Sequence, residues 1–151
     1  MTDNNPPADL FSDAAAFGRS LGPGIGFNLL VSDTSRHRDF AVAVLGAKVL
    51  HHSDDFSVFS LSGSTWMIHA DHTYKTNVLY GVATQAQGRG AGAELRAYGV
   101  NPDQAEATAR AGGWTVLAGA EDKPHGLREA VILDDDGYAW VPGIATQDHD
   151  S

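Results

Sequence analysis

The chain has 151 residues with 19 acidic and ten basic side chains, a formal charge of −9, 17 glycines, six prolines and no cysteine. Without cysteine there is no disulfide framework, no thiolate nucleophile and no cysteine-bearing zinc or iron–sulfur site, and an acidic chain whose bases are scattered rather than striped does not read as a nucleic-acid binder. No apolar run approaches the ~18 residues of a membrane span, and the opening MTDNNPPADL lacks the basic and apolar regions of a secretory signal, so the expectation is a cytoplasmic protein with no membrane partner.

Residues 1–24 read as an N-terminal tail or one short helix between Asp9 and Leu21, with Leu10, Phe11, Ala14, Phe17 and Leu21 forming an apolar stripe at spacings of three and four. Residues 25–70 follow as a first module. Ile25 to Ser32 is an apolar strand, and Asp33 caps a helix from Thr34 to Leu45 whose buried face is Phe40, Ala41, Val44 and Leu45. Arg36 and Arg38 stay in water, and Gly46 ends the helix as a left-handed residue. Three strands come next: Lys48 to His52, Phe56 to Leu61 and, after the Ser62-Gly63 turn, Ser64 to Ala70. His51 and His52 are neighbours on a strand, so they point to opposite faces.

Residues 71–92 read as a linker and residues 93–145 as a second module, with 146–151 a C-terminal tail. Ala93 to Val100 is a strand. Asn101 caps a helix with Pro102 at its first position, and the helix runs to Ala111 before Gly112-Gly113 stop it. Strands then fit Trp114 to Ala118, Leu127 to Leu133 and Tyr138 to Pro142, with Gly119 to Gly126 an inserted loop. The order of elements repeats that of the first module. Gly46-Ala47-Lys48-Val49-Leu50 lines up with Gly113-Trp114-Thr115-Val116-Leu117, and Gly63-Ser64-Thr65-Trp66-Met67 with Gly137-Tyr138-Ala139-Trp140-Val141. Such internal similarity is the mark of a duplication. Trp66 and Trp140 are repeat equivalents, which points first to core packing.

Two such βαβββ units, with Val31-Ser32-Asp33 and Val44-Leu45-Gly46-Ala47 around the first helix and Lys123 to Glu129 and Asp134 to Tyr138 near the close of the second unit, resemble the vicinal oxygen chelate superfamily of glyoxalases, bleomycin resistance proteins and extradiol dioxygenases. The resemblance implies an α+β fold in which two modules curl mixed sheets around a cavity, within one chain or across a homodimer. It also implies one divalent metal ion in catalytic members, held by His or Glu on the first and last strand of each module. Counted along this chain, those four positions fall on Gly26, Met67, Arg96 and Val141, none of them a usable donor. A shifted set of His69, His72 and Glu94 would supply two imidazoles and a carboxylate.

The leading expectation is therefore a metal-independent binding protein without a cofactor. It would hold a small organic molecule in a cavity lined by Asn28, Met67, His69, Arg96, Tyr98 and Val141. Arg96 would anchor an anionic or carbonyl group, unless it merely pairs with Glu94 on the same strand face. His69 would be an acid–base or hydrogen-bonding group, the densest ionisable cluster being His69, Asp71 and His72. His125 and Arg128 border the inserted loop, expected at the cavity mouth. The alternative is a metal-dependent lyase, isomerase or dioxygenase built on the shifted set, and a third reading is a degenerate module that partners another protein. No catalytic residue is assigned: nucleophile elbow, phosphate loop and dinucleotide fingerprint are all missing, since both glycine-rich runs lead into strands.

Overall fold

Asp33 sits in extended backbone, and its carboxylate accepts the amide N–H groups of Ser35 (2.8 Å) and Arg36 (3.2 Å); a cap of this kind is worth about 1 kcal/mol. Asn101 does the same for the second helix, accepting from the Gln104 amide, with Pro102 in the first turn where its missing N–H is not needed. These caps start the two equivalent helices in the computed structural model, which describes residues 14–147. In chain order the elements are α1 (Ala14–Ser20), β1 (Asn28–Val31), α2 (Thr34–Ala43), β2 (Lys48–His52), β3 (Phe56–Leu61), β4 (Ser64–Ala70), a 3-10 turn (Asp71–Tyr74), α3 (Leu79–Gln85), β5 (Glu94–Tyr98), α4 (Pro102–Ala111), β6 (Thr115–Asp122), β7 (Leu127–Leu133) and β8 (Ala139–Ala145).

The strands form two open sheets of the same topology, β1-β4-β3-β2 and β5-β8-β7-β6. In each, the first strand lies parallel to the last and the remaining pairs are antiparallel. The α+β fold of two βαβββ modules is thus the one expected. Leu10 and Phe11 of the N-terminal stripe lie outside the described residues. β1 begins only at Asn28, leaving Ile25 fully exposed before it. The segment read as a bare linker contains the 3-10 turn and α3, which the sequence reading omitted. Gly119 to Gly126 is not a separate loop either. β6 continues to Asp122, with Glu121 opposite Glu129 and Asp122 opposite Arg128, so the insertion lengthens a hairpin.

Because side chains alternate along a strand, each sheet has one face toward its helix and one away from it. Leu29, Val31, Phe59, Trp66 and Ile68 of the first sheet meet Ala97, Ile132 and Trp140 of the second in a single core, with Phe40, Ala41, Ala105 and Ala109 from the helices. Trp66 and Trp140 lie with ring centroids 5.3 Å apart, so the expected core role of the two tryptophans is also what joins the modules. Each indole N–H needs an acceptor in this apolar setting. Trp140 donates to the Asp134 carboxylate at 2.9 Å, and Trp66 donates to His37 Nε2 at 3.5 Å.

His37 and Asp134 are therefore buried ionisable groups at the seam, with His37 Nδ1 and Asp134 Oδ2 3.6 Å apart. Burial pushes the His37 pKa down to about 4. Burial also pushes Asp134 up to about 6, against the lowering effect of hydrogen bonds from Trp140, Tyr138 and Asp136. A depressed histidine weakens the fold as pH falls from about 6.5 to about 4, because the unfolded chain takes the proton first; a raised carboxylate strengthens it as pH falls from about 6 to about 4. The two effects oppose one another. His37→Gln should make the protein gain stability relative to wild type on acidification across this window, and Asp134→Asn should steepen its loss. Urea unfolding at a series of pH values checks this, and identical slopes in all three proteins would refute it.

Candidate functional site

The faces turned away from the helices carry the residues of interest. On the first sheet the register sets Asn28 opposite Met67 and Leu30 opposite His69 across β1 and β4, with Phe56 opposite His69 across β3 and β4. His69 Nδ1 and the Asn28 side-chain oxygen are 2.6 Å apart, and the Asn28 amide nitrogen donates to the Tyr74 hydroxyl at 2.9 Å. The carboxamide can accept from the ring only if Nδ1 carries the proton, so in the neutral tautomer Nε2 is the acceptor. Rings continue the row. His69 stacks on Phe56 (5.5 Å, 15° between planes), Phe56 stacks on His51 (4.4 Å), and Tyr74 lies 5.4 Å from His69. A break in register between Val49 and His51 turns His51 to this face. His52 faces the helix side, where it meets Ser57 and Ser35.

Tyr74 reaches this face because the 3-10 turn is pinned. Asp71 receives two hydrogen bonds from Arg89, at 2.6 and 2.8 Å, and Arg89 also donates to the Leu30 carbonyl of β1. Asp71 is thus a tether, not part of a His69–His72 cluster. His72 points elsewhere, 2.7 Å from the exposed Asp55.

The second sheet presents charge instead of rings. Arg96 lies opposite Val141 and Tyr98 opposite Gly143. The Arg96 guanidinium pairs with Glu94 at 2.7 Å and with Glu129, a largely buried carboxylate that also has His125 Nε2 at 3.4 Å. The Arg96 guanidinium carbon stands 5.9 Å over the Tyr98 ring. The expected Glu94–Arg96 pair is present, therefore, as one edge of a larger cluster. Arg128 does not join it: it binds Asp103 on α4 and Asp122 on β6.

Of the six residues expected to line a cavity, the structure brings Asn28, Met67 and His69 together on one sheet and Arg96, Tyr98 and Val141 together on the other. Among the described residues no hydrogen bond, ion pair or ring contact joins the two groups. Tyr74, Phe56 and Glu129 were not singled out from sequence. Glu129 was within reach of alternation, since β7 adjoins β8 and β8 adjoins β5. Tyr74 depends on the Arg89 tether, which no local pattern announces.

The register also corrects one position. Asn28 and Arg96 stand at the same distance before their helix caps, Asp33 and Asn101, and opposite Met67 and Val141 respectively. The repeat-equivalent quartet is therefore Asn28, Met67, Arg96 and Val141; Gly26 precedes the strand. These residues do not fit a divalent metal. A carboxamide, a thioether and an isopropyl group are poor or null donors for a hard cation, and Arg96 puts a fixed positive charge at the fourth position. Unit charges ~4 Å apart near a protein surface interact by roughly 4 kcal/mol, and here the sign is repulsive. The shifted set is not assembled: among the described residues no three His, Asp or Glu form a metal-holding group.

No protein-family model and no curated protein matches the chain. Solved structures do. A glyoxalase/bleomycin resistance protein/dioxygenase family enzyme from Burkholderia phytofirmans PsJN superposes with a TM-score of 0.67 at 17% identity, over 80% of this chain and 96% of that one. TioX from Micromonospora sp. ML1 gives 0.58 at 19% identity, over 83% and 98%. The fosfomycin resistance protein FosX from Mesorhizobium loti gives 0.57 at 12% identity, over 83% and 94%. The fold is the one expected from the resemblance to the vicinal oxygen chelate superfamily. No helix among the described residues is long and apolar enough to cross a membrane.

Burial lowers the His69 pKa below its ordinary value. Asn28→Asp would place a carboxylate against Nδ1 and favour the imidazolium. The His69 pKa should therefore rise by one unit or more in that variant. Titration of the ring carbon-bound protons by NMR measures it, and an unchanged or lower value would show that Asn28 does not face the ring in solution.

Proposed function

We propose that the protein is a metal-independent binding protein for a small organic molecule, which it recognises through the helix-free faces of its two sheets. The observation that carries this reading is Arg96, a guanidinium held by Glu94 and Glu129 at a position where metal-dependent members of the fold need a donor. A planar, permanently charged group with several N–H donors suits a carbonyl or anionic group of an organic guest. The ring row of the first sheet suits stacking against a flat one. The name of FosX as a fosfomycin resistance protein supports a drug-like guest as the class to try first.

The reading includes a homodimer in the cytoplasm. Burial of both helix-facing sides in one core turns both helix-free faces away from that core; Leu30, Val58 and Val141 on them are themselves buried, while Tyr98 is left 61% exposed beside Arg96. A second copy laid against these faces would close a pocket between rings and charges and remove the ligand from water. The absence of cysteine is in keeping with the compartment.

Protein purified without chelator should contain far less than one divalent ion per chain by elemental analysis, and its melting temperature should not fall on dialysis against a chelator. In a thermal-shift screen of planar aromatic carboxylates, aromatic amides and glycopeptide antibiotics, at least one compound should raise the midpoint, as binding to the native state must. Arg96→Ala should abolish that rise. One tightly held divalent ion per chain, with activity that leaves and returns with it, would overturn the proposal.

A further inference from the structure

Strand pairing sets the His69 imidazole among side chains that cannot donate a hydrogen bond to it. β4 brings Met67 and His69 to the helix-free face, and the paired strands add Leu30, Val58 and Phe56. Those apolar neighbours carry no side-chain donor. The ring is half-buried and lies flat against Phe56, with 15° between the planes. Its polar neighbours, Asn28 and Tyr74, are engaged at the Nδ1 edge, so whatever meets the Nε2 edge comes from water or from a bound molecule.

Which ring nitrogen accepts is set by a chain of two contacts. The Asn28 amide nitrogen donates to the Tyr74 hydroxyl at 2.9 Å, which aims the carboxamide oxygen the other way, to within 2.6 Å of His69 Nδ1. An oxygen at that place calls for a proton on Nδ1 and leaves Nε2 with a lone pair. A reversed carboxamide would do the opposite and leave a proton on Nε2. Tyr74 is held by the Asp71–Arg89 clamp, and Arg89 is itself anchored on the carbonyl of Leu30, the β1 residue paired with His69. Nε2 makes no hydrogen bond among the described residues and reaches solvent. Burial lowers the His69 pKa, which keeps the ring neutral and Nε2 an acceptor at neutral pH.

We propose that the guest of the helix-free faces is a hydroxyaromatic molecule, whose phenolic O–H donates to His69 Nε2 while its ring covers the apolar side chains beside it. This rests on the reading of these faces as a binding surface and narrows the guest: Arg96 takes an anionic or carbonyl group, His69 takes a proton donor, and a hydroxyaromatic acid meets both. An ether or a bare ring in the same place would shut water away from the imidazole lone pair without replacing it, and a stranded polar group is costly. A site built to hydrogen-bond a hydroxyl therefore rejects analogues that lack one. A phenolic O–H, more acidic than an arylamine N–H, is also the stronger donor to an imidazole nitrogen.

The test uses the ¹⁵N-labelled full chain at neutral pH. Long-range ¹H–¹⁵N spectra of the free protein should show the His69 proton on Nδ1 and none on Nε2. A protonated Nε2 would overturn the proposal, because the site would then present a donor. The chain is next titrated with 6-hydroxy-2-naphthoate, 6-methoxy-2-naphthoate and 2-naphthoate, followed by amide and imidazole shifts. The hydroxy compound should bind at least about tenfold more tightly than either analogue, with saturable shifts at Asn28, Met67 and His69 and a displacement of the Nε2 resonance. His69→Phe, which keeps a ring against Phe56, should erase the preference; the measurements on the wild-type chain decide the matter if that variant does not fold. Equal binding of the three compounds, or a preference that survives His69→Phe, would overturn the hydroxyl assignment and leave the binding reading in place. Binding by none of the three would overturn the inference and tell against the binding reading as well.

Discussion

Contact between the two helix-facing sheet surfaces is the constraint from which the rest follows. Trp66 and Trp140 meet across it, and Phe40, His37 and Phe59 pack around them. Fully burying a large side chain is worth roughly 1.5–3 kcal/mol, so this surface cannot rotate out without heavy loss. Strand alternation then leaves no freedom for the other face. Once Leu29, Ile68, Ala97 and Trp140 point inward, Asn28, Met67, His69, Arg96 and Val141 must point away. A slip of one residue would exchange the two sets.

The same contact explains why two ionisable side chains sit in the core. An indole N–H buried without an acceptor leaves a polar group stranded, at about 1–3 kcal/mol, and each module must supply one. The second module uses Asp134, which also receives the Asp136 and Tyr138 amides and so shapes the turn before β8. The first module has Ser60 at the corresponding place and turns instead to His37 on α2. One duplicated tryptophan has thus been given two chemically different acceptors. Their titrations run in opposite directions, which leaves the seam less sensitive to pH than either group alone.

The fold was largely legible because its signals are local. Caps at Asp33 and Asn101, left-handed glycines at 46 and 113, and turns at Ser62-Gly63 and Asp134 to Gly137 each depend on a few neighbouring residues. The inserted segment after Gly119 misled because continued β pairing there is set by the partner strand, through Glu121 and Glu129, rather than by its own composition. The candidate site was legible by face but not by partner. Alternation identifies Asn28, His69, Arg96 and Tyr98 as sharing surfaces. It cannot show that Tyr74 arrives over Asn28 through an Arg89–Asp71 clamp, or that Glu129 comes to Arg96 across an intervening strand. Counting from the helix cap missed the true equivalent of Arg96 by two residues, and only paired registers resolve such a shift.

Charge on the second sheet's open face follows a different logic from that of a metal centre. A metal site gathers anionic or neutral donors around an empty position and is incomplete until the ion arrives. Here Glu129, largely buried, already has its countercharge in Arg96, and Arg96 in turn spans Glu94 and Glu129. Glu129 is the buried member of this pair, so displacing Arg96 to admit a cation would strand a carboxylate as well as move a guanidinium. What this surface presents is the part-exposed guanidinium and the exposed ring of Tyr98 beside it. Such groups would suit the organic guest proposed above, which calls for directional N–H donors and a flat apolar wall rather than an empty coordination sphere.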